Sequence, residues 1–137
     1  LNSEKFLTRR IFAGFIDYTI ILSISFIYIS IFGKINDDGE YSVTGIKTLP
    51  IVLFWFTYLC LIETFLNATL GNYIVKPKPV DLNTGKEINL KQSFLRHCVD
   101  IIDMFAFGIV ATIIIKNSEK SQRLGDLLAK AKVVKVQ

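Results

Sequence analysis

Two apolar runs of roughly twenty residues, each interrupted by a single ionised side chain, constrain this chain more than anything else in its 137 residues. The first extends from Ile11 to Phe32 with Asp17 as its only charge, and the second from Pro50 to Leu66 with Glu63 near its end. A helix over the first run reaches roughly 33 Å, enough to cross a bilayer core. Pro50 suits a helix start, where its missing donor would be unpaired anyway. A soluble domain would hide its apolar residues in short periodic stripes instead. With 51% apolar residues, 20% charged and a mean hydropathy of +0.44, the chain reads as an integral membrane protein. Composition excludes a disordered tail, a repeat array and a disulfide scaffold, and Cys60 and Cys98 lie inside apolar segments as packing or lipid-facing residues. Arg9 and Arg10 ahead of the first run resemble a signal peptide, but the run is too long, carries a carboxylate and lacks a small-residue cleavage site. It is expected to stay attached.

Charge bias assigns sides. Lys5, Arg9 and Arg10 precede the first run, and Lys76, Lys78, Lys86, Lys91 and Arg96 follow the second, whereas the segment between them is net acidic through Asp37, Asp38 and Glu40. The positive-inside rule places the N-terminus in the cytoplasm and the acidic loop outside, in a multi-pass protein of the cell (inner) membrane. The third apolar region, Phe94 to Ile115, carries four polar charges or ionisable groups in its first half, and its uncharged remainder, Met104 to Ile115, reaches roughly 18 Å. A full crossing there would also export a tail that holds Lys116, Lys120, Arg123, Lys130, Lys132 and Lys135. A broken or re-entrant helix pair turning around Phe105 to Gly108 fits better, and returns the tail to the cytoplasm. Tyr73 to Val80 and Lys132 to Val136 mix β-branched residues with lysines and could pair as short strands, with Asn83, Thr84 and Gly85 as a turn.

The expected fold is therefore an all-α membrane protein, one domain over 1–137. It has spans at about 11–32 and 50–66, a broken helical region at about 93–116, a cytoplasmic tail at 117–137 and a small cytoplasmic two-strand element.

Ionised groups inside a membrane are costly facing lipid, by about 2.5–3.5 kcal/mol each at mid-helix on insertion scales, so they mark a shared interior. The candidates are Arg10, Asp17, Glu63, Arg96, Asp100 and Asp103. Arg10 and Asp17 are two helical turns apart, as are Arg96 and Asp103, with Asp100 between them. Crossed helices could satisfy Arg10 with Asp103 or Asp100 and Arg96 with Asp17. The surplus of carboxylates would then bind a monovalent cation or exchange a proton, with Glu63 as the titrating member because no cation lies near it in sequence. The competing reading is that the ion pairs only fix helix packing, with Glu63 an interfacial carboxylate. His97 has no second histidine or suitably spaced thiolate, so no metal site is expected, and no phosphate loop, nucleophile elbow or HExxH suggests an enzyme or a cofactor. The eleven basic residues from Lys76 onward fit topology and anionic lipid headgroups rather than nucleic acid.

Arg10-x-x-Ala13-x-x-x-Asp17, Asp103 preceded by Arg96, the stretch Ala68-Thr69-Leu70-Gly71, and the tail Gln122-Arg123-Leu124-Gly125-Asp126-Leu127-Leu128-Ala129 together resemble the RDD family of small membrane proteins over nearly the whole chain. Asn72 stands where the family usually has lysine, and Lys130-Ala131 where Gly-Thr is usual. The resemblance implies Arg10, Asp17 and Asp103 as signature residues and a transport role, in some members an exchange of sodium or potassium for protons. Arg123 and Asp126 are helical neighbours and Gly125 permits close backbone approach, which reads as a structural lock between the cytoplasmic tail and the Gly71 loop.

Two functions follow as expectations. One is a transporter of monovalent cations or a small proton-coupled solute, oligomeric because two and a half spans cannot enclose a path alone. The other is a non-transporting accessory or scaffold subunit docked to a partner membrane protein.

Overall fold

The computed structural model describes residues 2–103, 105–119 and 122–135. Helix α1, Asn2–Phe32, is 31 residues long, about 46 Å. It stops at Gly33, and Lys34–Ile35 (β1) then pairs antiparallel with Tyr41–Ser42 (β2). Asn36 shapes that hairpin, its Oδ1 accepting from the amides of Asp38 and Glu40 at 3.1 and 2.8 Å.

Helix α2, Gly45–Leu66, starts as a tight turn over Gly45–Thr48, with Pro50 in the first α-helical turn that follows. It widens into a π-helical segment over Phe56–Leu61 and ends at Asn67, left-handed at φ 58°. The wider turn presents three consecutive residues, Tyr58, Leu59 and Cys60, to the interior. They pack on Ile21 of α1, with Tyr18, Phe54 and Trp55 at the margin.

The remaining elements gather at the Arg10 end of α1. Thr69 caps the short α3, Leu70–Val75, accepting from Asn72 N at 3.3 Å. Strand β3, Pro77–Asp81, pairs antiparallel with β4, Ala131–Lys135, in register from Pro77 opposite Lys135 to Asp81 opposite Ala131. Between these strands run α4 (Leu90–Cys98), α5 (Asp100–Asp103), α6 (Phe105–Asn117) and α7 (Leu124–Leu128). A capping box opens α4: Asn89 Oδ1 accepts from Gln92 N at 2.9 Å and Gln92 Oε1 from Asn89 N at 3.1 Å. Gln92 Nε2 also donates to Asp81 Oδ2 and to Ala129 O, tying α4 to both strands' surroundings.

Two helices are thus long and apolar enough to cross a bilayer, Leu7–Phe32 and Gly45–Leu66. Their apolar windows are only 11% and 22% buried within the chain, so most of that surface needs an apolar medium rather than water. Helix α6, at 13 residues or about 20 Å, is short of a crossing. The β3–β4 pairing holds the tail at the same end of the molecule as the segment that follows α2. The region between these strands therefore begins and ends at that end.

Three details differ from the sequence reading. The acidic segment forms a second two-stranded element beside the one expected near the tail. The strand expected from Tyr73 begins at Pro77, because the Thr69 cap and the packing of Gly71 against α1 keep 70–75 helical. The break in the third region comes first at Val99, after Cys98, with Gly108 at φ +84° marking a further turn inside α6. Met104 and Val136 lie outside the described residues.

Candidate functional site

Nearly all of the expected site residues meet in one buried polar layer at the Arg10 end of the helices, but their partners differ from those that spacing suggested. Asp17 faces neutral donors. Its Oδ1 accepts from Tyr58 OH at 2.9 Å and Gly71 N at 2.8 Å, and its Oδ2 from Thr69 Oγ1 at 2.5 Å. Each donor depends on a local feature already described: the π segment turns Tyr58 inward, and the α3 start presents Thr69 and Gly71.

Arg96 reaches Glu63 and Asp126 instead of Asp17. Its Nη1 donates to Glu63 Oε1 at 2.5 Å and its Nε to Asp126 Oδ1 at 2.8 Å. Arg10 donates to Asp126 Oδ2 at 2.6 Å, not to Asp100 or Asp103. Glu63 is fully enclosed, accepting also from Ser93 Oγ at 2.6 Å with His97 Nε2 at 3.2 Å. This corrects the reading of Glu63 as an unpaired titrating group: Ser93, Arg96 and His97 lie on one face of α4 at helical spacing, and that face packs on α2.

Asp100 Oδ2 accepts from Tyr18 OH and lies 2.7 Å from His97 Nδ1, while Oδ1 stands 2.9 Å from Arg123 Nη1 in an ion pair off the line of a hydrogen bond. Asp103 accepts from the amides of Leu124 and Gly125 at 3.2 and 3.0 Å, at the start of α7. Asp126 closes the α7 cap, accepting from Arg123 N at 3.2 Å. Arg123, Gly125 and Asp126 therefore lock the tail onto Arg10, Arg96, Asp100 and Asp103, whereas the polar contact of Gly71 is with α1.

Asp17 and Asp103 share one device. A glycine amide on a short helical turn bonds each of them, and each glycine is pressed against a backbone carbonyl. A Cβ at Gly71 would stand 2.1 Å from Ala13 O, and one at Gly125 2.1 Å from Arg96 O. The tail cap and the Ala68–Gly71 stretch are thus two halves of the same aspartate-holding architecture.

Among the described residues, three arginines and His97 face Glu63, Asp100, Asp103 and Asp126. These four acids and four bases balance when His97 is protonated, and Asp17, held by neutral donors in the same layer, is a fifth carboxylate beyond that balance. Burial alone would lower the His97 pKa, but Glu63 and Asp100 on either side raise it above the ordinary 6.5. Burial would likewise raise Asp126, yet Arg96, Arg10 and Arg123 hold it well below the usual carboxylate range. Since the folded His97 pKa lies above the unfolded one, its stabilisation is complete below about 6.5 and is lost as pH rises through the folded value. Melting in detergent from pH 6 to 9.5 should show a falling midpoint whose slope His97→Gln flattens. Parallel slopes for the two proteins would remove His97 from the account.

A cavity of about 440 Å³ borders this layer, between α1 and α6, with Asp17, His97, Asp100 and Arg123 among its lining. Tyr18, Tyr58, Thr69 and Ser93 were missed by the sequence reading. Tyrosine and threonine hydroxyls within an apolar run, near an intramembrane aspartate, are the signal that could have found the first three.

The profile of the RDD family matches residues 5–130. No curated protein and no solved structure shows significant similarity to the chain. The match spans the aspartate-bearing first helix, both glycine contacts and the capped tail, and on that extent the chain belongs to the RDD family.

Proposed function

We propose that this chain is a proton-coupled membrane transporter of a small solute, acting as an oligomer, with the cavity beside the polar layer as its binding compartment. The observation that carries the reading is that cavity itself. It is bordered by a carboxylate without a cationic partner in hydrogen-bond contact among the described residues, Asp17, and by a protonatable histidine between two acids, His97. A volume near 440 Å³ falls in the range of organic-ligand pockets and far exceeds an alkali cation. Arg10, Arg96 and Arg123 also line it, which disfavours a bare monovalent cation as sole cargo. Asp17 and the His97–Asp100 pair supply the proton-binding groups, and the arginines fix their ionisation. The positive-inside bias supports an inner-membrane orientation with the polar layer, the N-terminus and the tail on the cytoplasmic side.

The test is proton movement in sealed vesicles holding purified protein, followed with an internal pH dye after adding sodium, potassium, an organic acid or an organic amine in turn. Wild type should move protons with one of them, and Asp17→Asn should slow that movement at least tenfold. Silence from folded protein with all four would leave the accessory-subunit reading in its place.

A further inference from the structure

His97 is buried with a carboxylate oxygen at each ring nitrogen. Asp100 Oδ2 lies 2.7 Å from Nδ1, and Glu63 Oε2 lies 3.2 Å from Nε2. Both of these oxygens also accept from a hydroxyl. Tyr18 OH donates to Asp100 Oδ2, and Ser93 Oγ donates to Glu63 Oε2 at 2.6 Å. Among the described residues, the charged and titratable groups around the imidazole are Glu63 and Cys60 of α2, Asp100 of α5, Asp17 and Tyr18 of α1, Arg123 of α7 across Asp100, and Arg96 and Cys98 on its own helix. Ser93 shares α4 with His97, so its hydroxyl moves with the ring. Tyr18 does not, because it comes from α1, which walls the cavity, and it follows Asp17 directly in sequence.

We propose that Tyr18 is a positioning residue for the proton on His97: its phenol, carried by α1, shares Asp100 Oδ2 with the imidazole and so limits how tightly the pair retains that proton. A carboxylate oxygen that already accepts one hydrogen bond offers less negative charge to a second donor. Without the phenol, Oδ2 serves His97 alone and the imidazolium is stabilised. The competition is for one oxygen, not for a proton on the acid. Burial would raise Asp100, but Arg123 at 2.9 Å from Oδ1 and His97 at Oδ2 hold it below the usual carboxylate range. The proposal deepens the transport reading and rests on it for its physiological sense. A solute that moves α1 away from α5 releases the phenol, and His97 then binds its proton more tightly. Solute and proton are taken up together, and by reciprocity the proton favours the solute-bound arrangement. The role of Tyr18 at His97 can be tested without flux.

His97 is the only histidine in the chain, so full-length protein labelled with nitrogen-15 histidine gives one pair of ring resonances, whose shifts report the protonation of each nitrogen. Titrated in detergent, wild type should change from imidazolium to imidazole above the ordinary 6.5. Tyr18→Phe, which keeps the ring and removes the donor, should move that change upward by about half a pH unit or more. Tyr73→Phe, at a tyrosine 75% exposed, should leave it in place. A second measurement needs no substitution: protein made with 3-fluorotyrosine carries a more acidic phenol, a stronger donor to Asp100, and its His97 should titrate lower than in wild type. A folded Tyr18→Phe protein whose His97 titrates at or below the wild-type value would overturn the proposal. So would an unshifted titration in the fluorinated protein, which decides the matter should Tyr18→Phe fail to fold. Where vesicles show proton movement, its pH dependence should rise with Tyr18→Phe by the same interval. A shifted titration without any proton movement would keep the role of Tyr18 and remove transport, and proton movement with an unshifted titration would do the reverse.

Discussion

Replacing Asp126 with Asn is expected to destabilise the protein by about 3–5 kcal/mol, the typical cost of breaking a buried ion pair by removing one partner. Asp126 is fully buried, holds Arg10 at 2.6 Å and Arg96 at 2.8 Å, and closes the α7 cap through Arg123 N. The amide can satisfy part of this geometry but none of the charge. Removing the charge takes away the carboxylate that Arg10 and Arg96 share, in a region from which water is largely excluded. The comparison is Glu87→Gln, which breaks an exposed pair with Lys78 at 3.1 Å and should cost less than about 1 kcal/mol. Because Arg10 and Asp126 share a contact, Arg10→Met combined with Asp126→Leu should lose less than the sum of the single changes. Asp17 and Arg96, which share none, should behave additively. Chemical or thermal unfolding in a fixed detergent measures all of these, and a loss at Asp126 no larger than at Glu87 would mean that the buried layer carries no stability. Acid should mimic the variant: since Asp126 is held below its ordinary value, its contribution is present above about pH 4 and disappears as pH falls toward its folded pKa.

The membership of this layer was legible in the sequence, whereas its wiring was not. Arg10, Asp17, Glu63, Arg96, Asp100 and Asp103 stand out because ionised groups within apolar segments have few tolerable environments, and all six do lie together. Spacing along one helix says which side chains share a face. It does not say which facing helix meets them or at what rotation, so Arg10 and Arg96 were matched to acids by order of charge alone. The decisive partner, Asp126, comes from a tail that returns through the β3–β4 pairing, a contact between residues some fifty positions apart. That pairing was nonetheless readable, because both segments mix β-branched residues with lysines, as short strands do. The π segment of α2 was not readable, since Phe56–Leu61 carries no glycine or proline to mark it. Its effect on Tyr58 therefore stayed hidden, and with it the reason Asp17 needs no arginine.

Gly71→Ala and Gly125→Ala should each cost on the order of 1–3 kcal/mol, a large effect for one added methyl group. The usual cost of alanine for glycine in a helix is negative, because alanine favours the helical backbone by roughly 0.5–1 kcal/mol. Here that gain is overridden by contact with atoms that cannot move aside. The new Cβ at Gly71 would fall 2.1 Å from Ala13 O and 2.7 Å from Asp17 Oδ2, and at Gly125 it would fall 2.1 Å from Arg96 O and 3.0 Å from its carbonyl carbon. Main-chain atoms of α1 and α4 can give way only if the helices separate. Separation stretches the bonds from Gly71 N to Asp17 at 2.8 Å and from Gly125 N to Asp103 at 3.0 Å, so each substitution should also disturb the aspartate it supports. The control is Gly85→Asn, at φ +69° with open space around it, where asparagine tolerates the left-handed backbone and the change should be nearly neutral. If proton movement is recovered in vesicles, Gly71→Ala should depress it as Asp17→Asn does, even in the fraction that folds. Glycine-to-alanine variants as stable as wild type would mean that the helices can part without loss, and that the two aspartates are not held by close backbone approach.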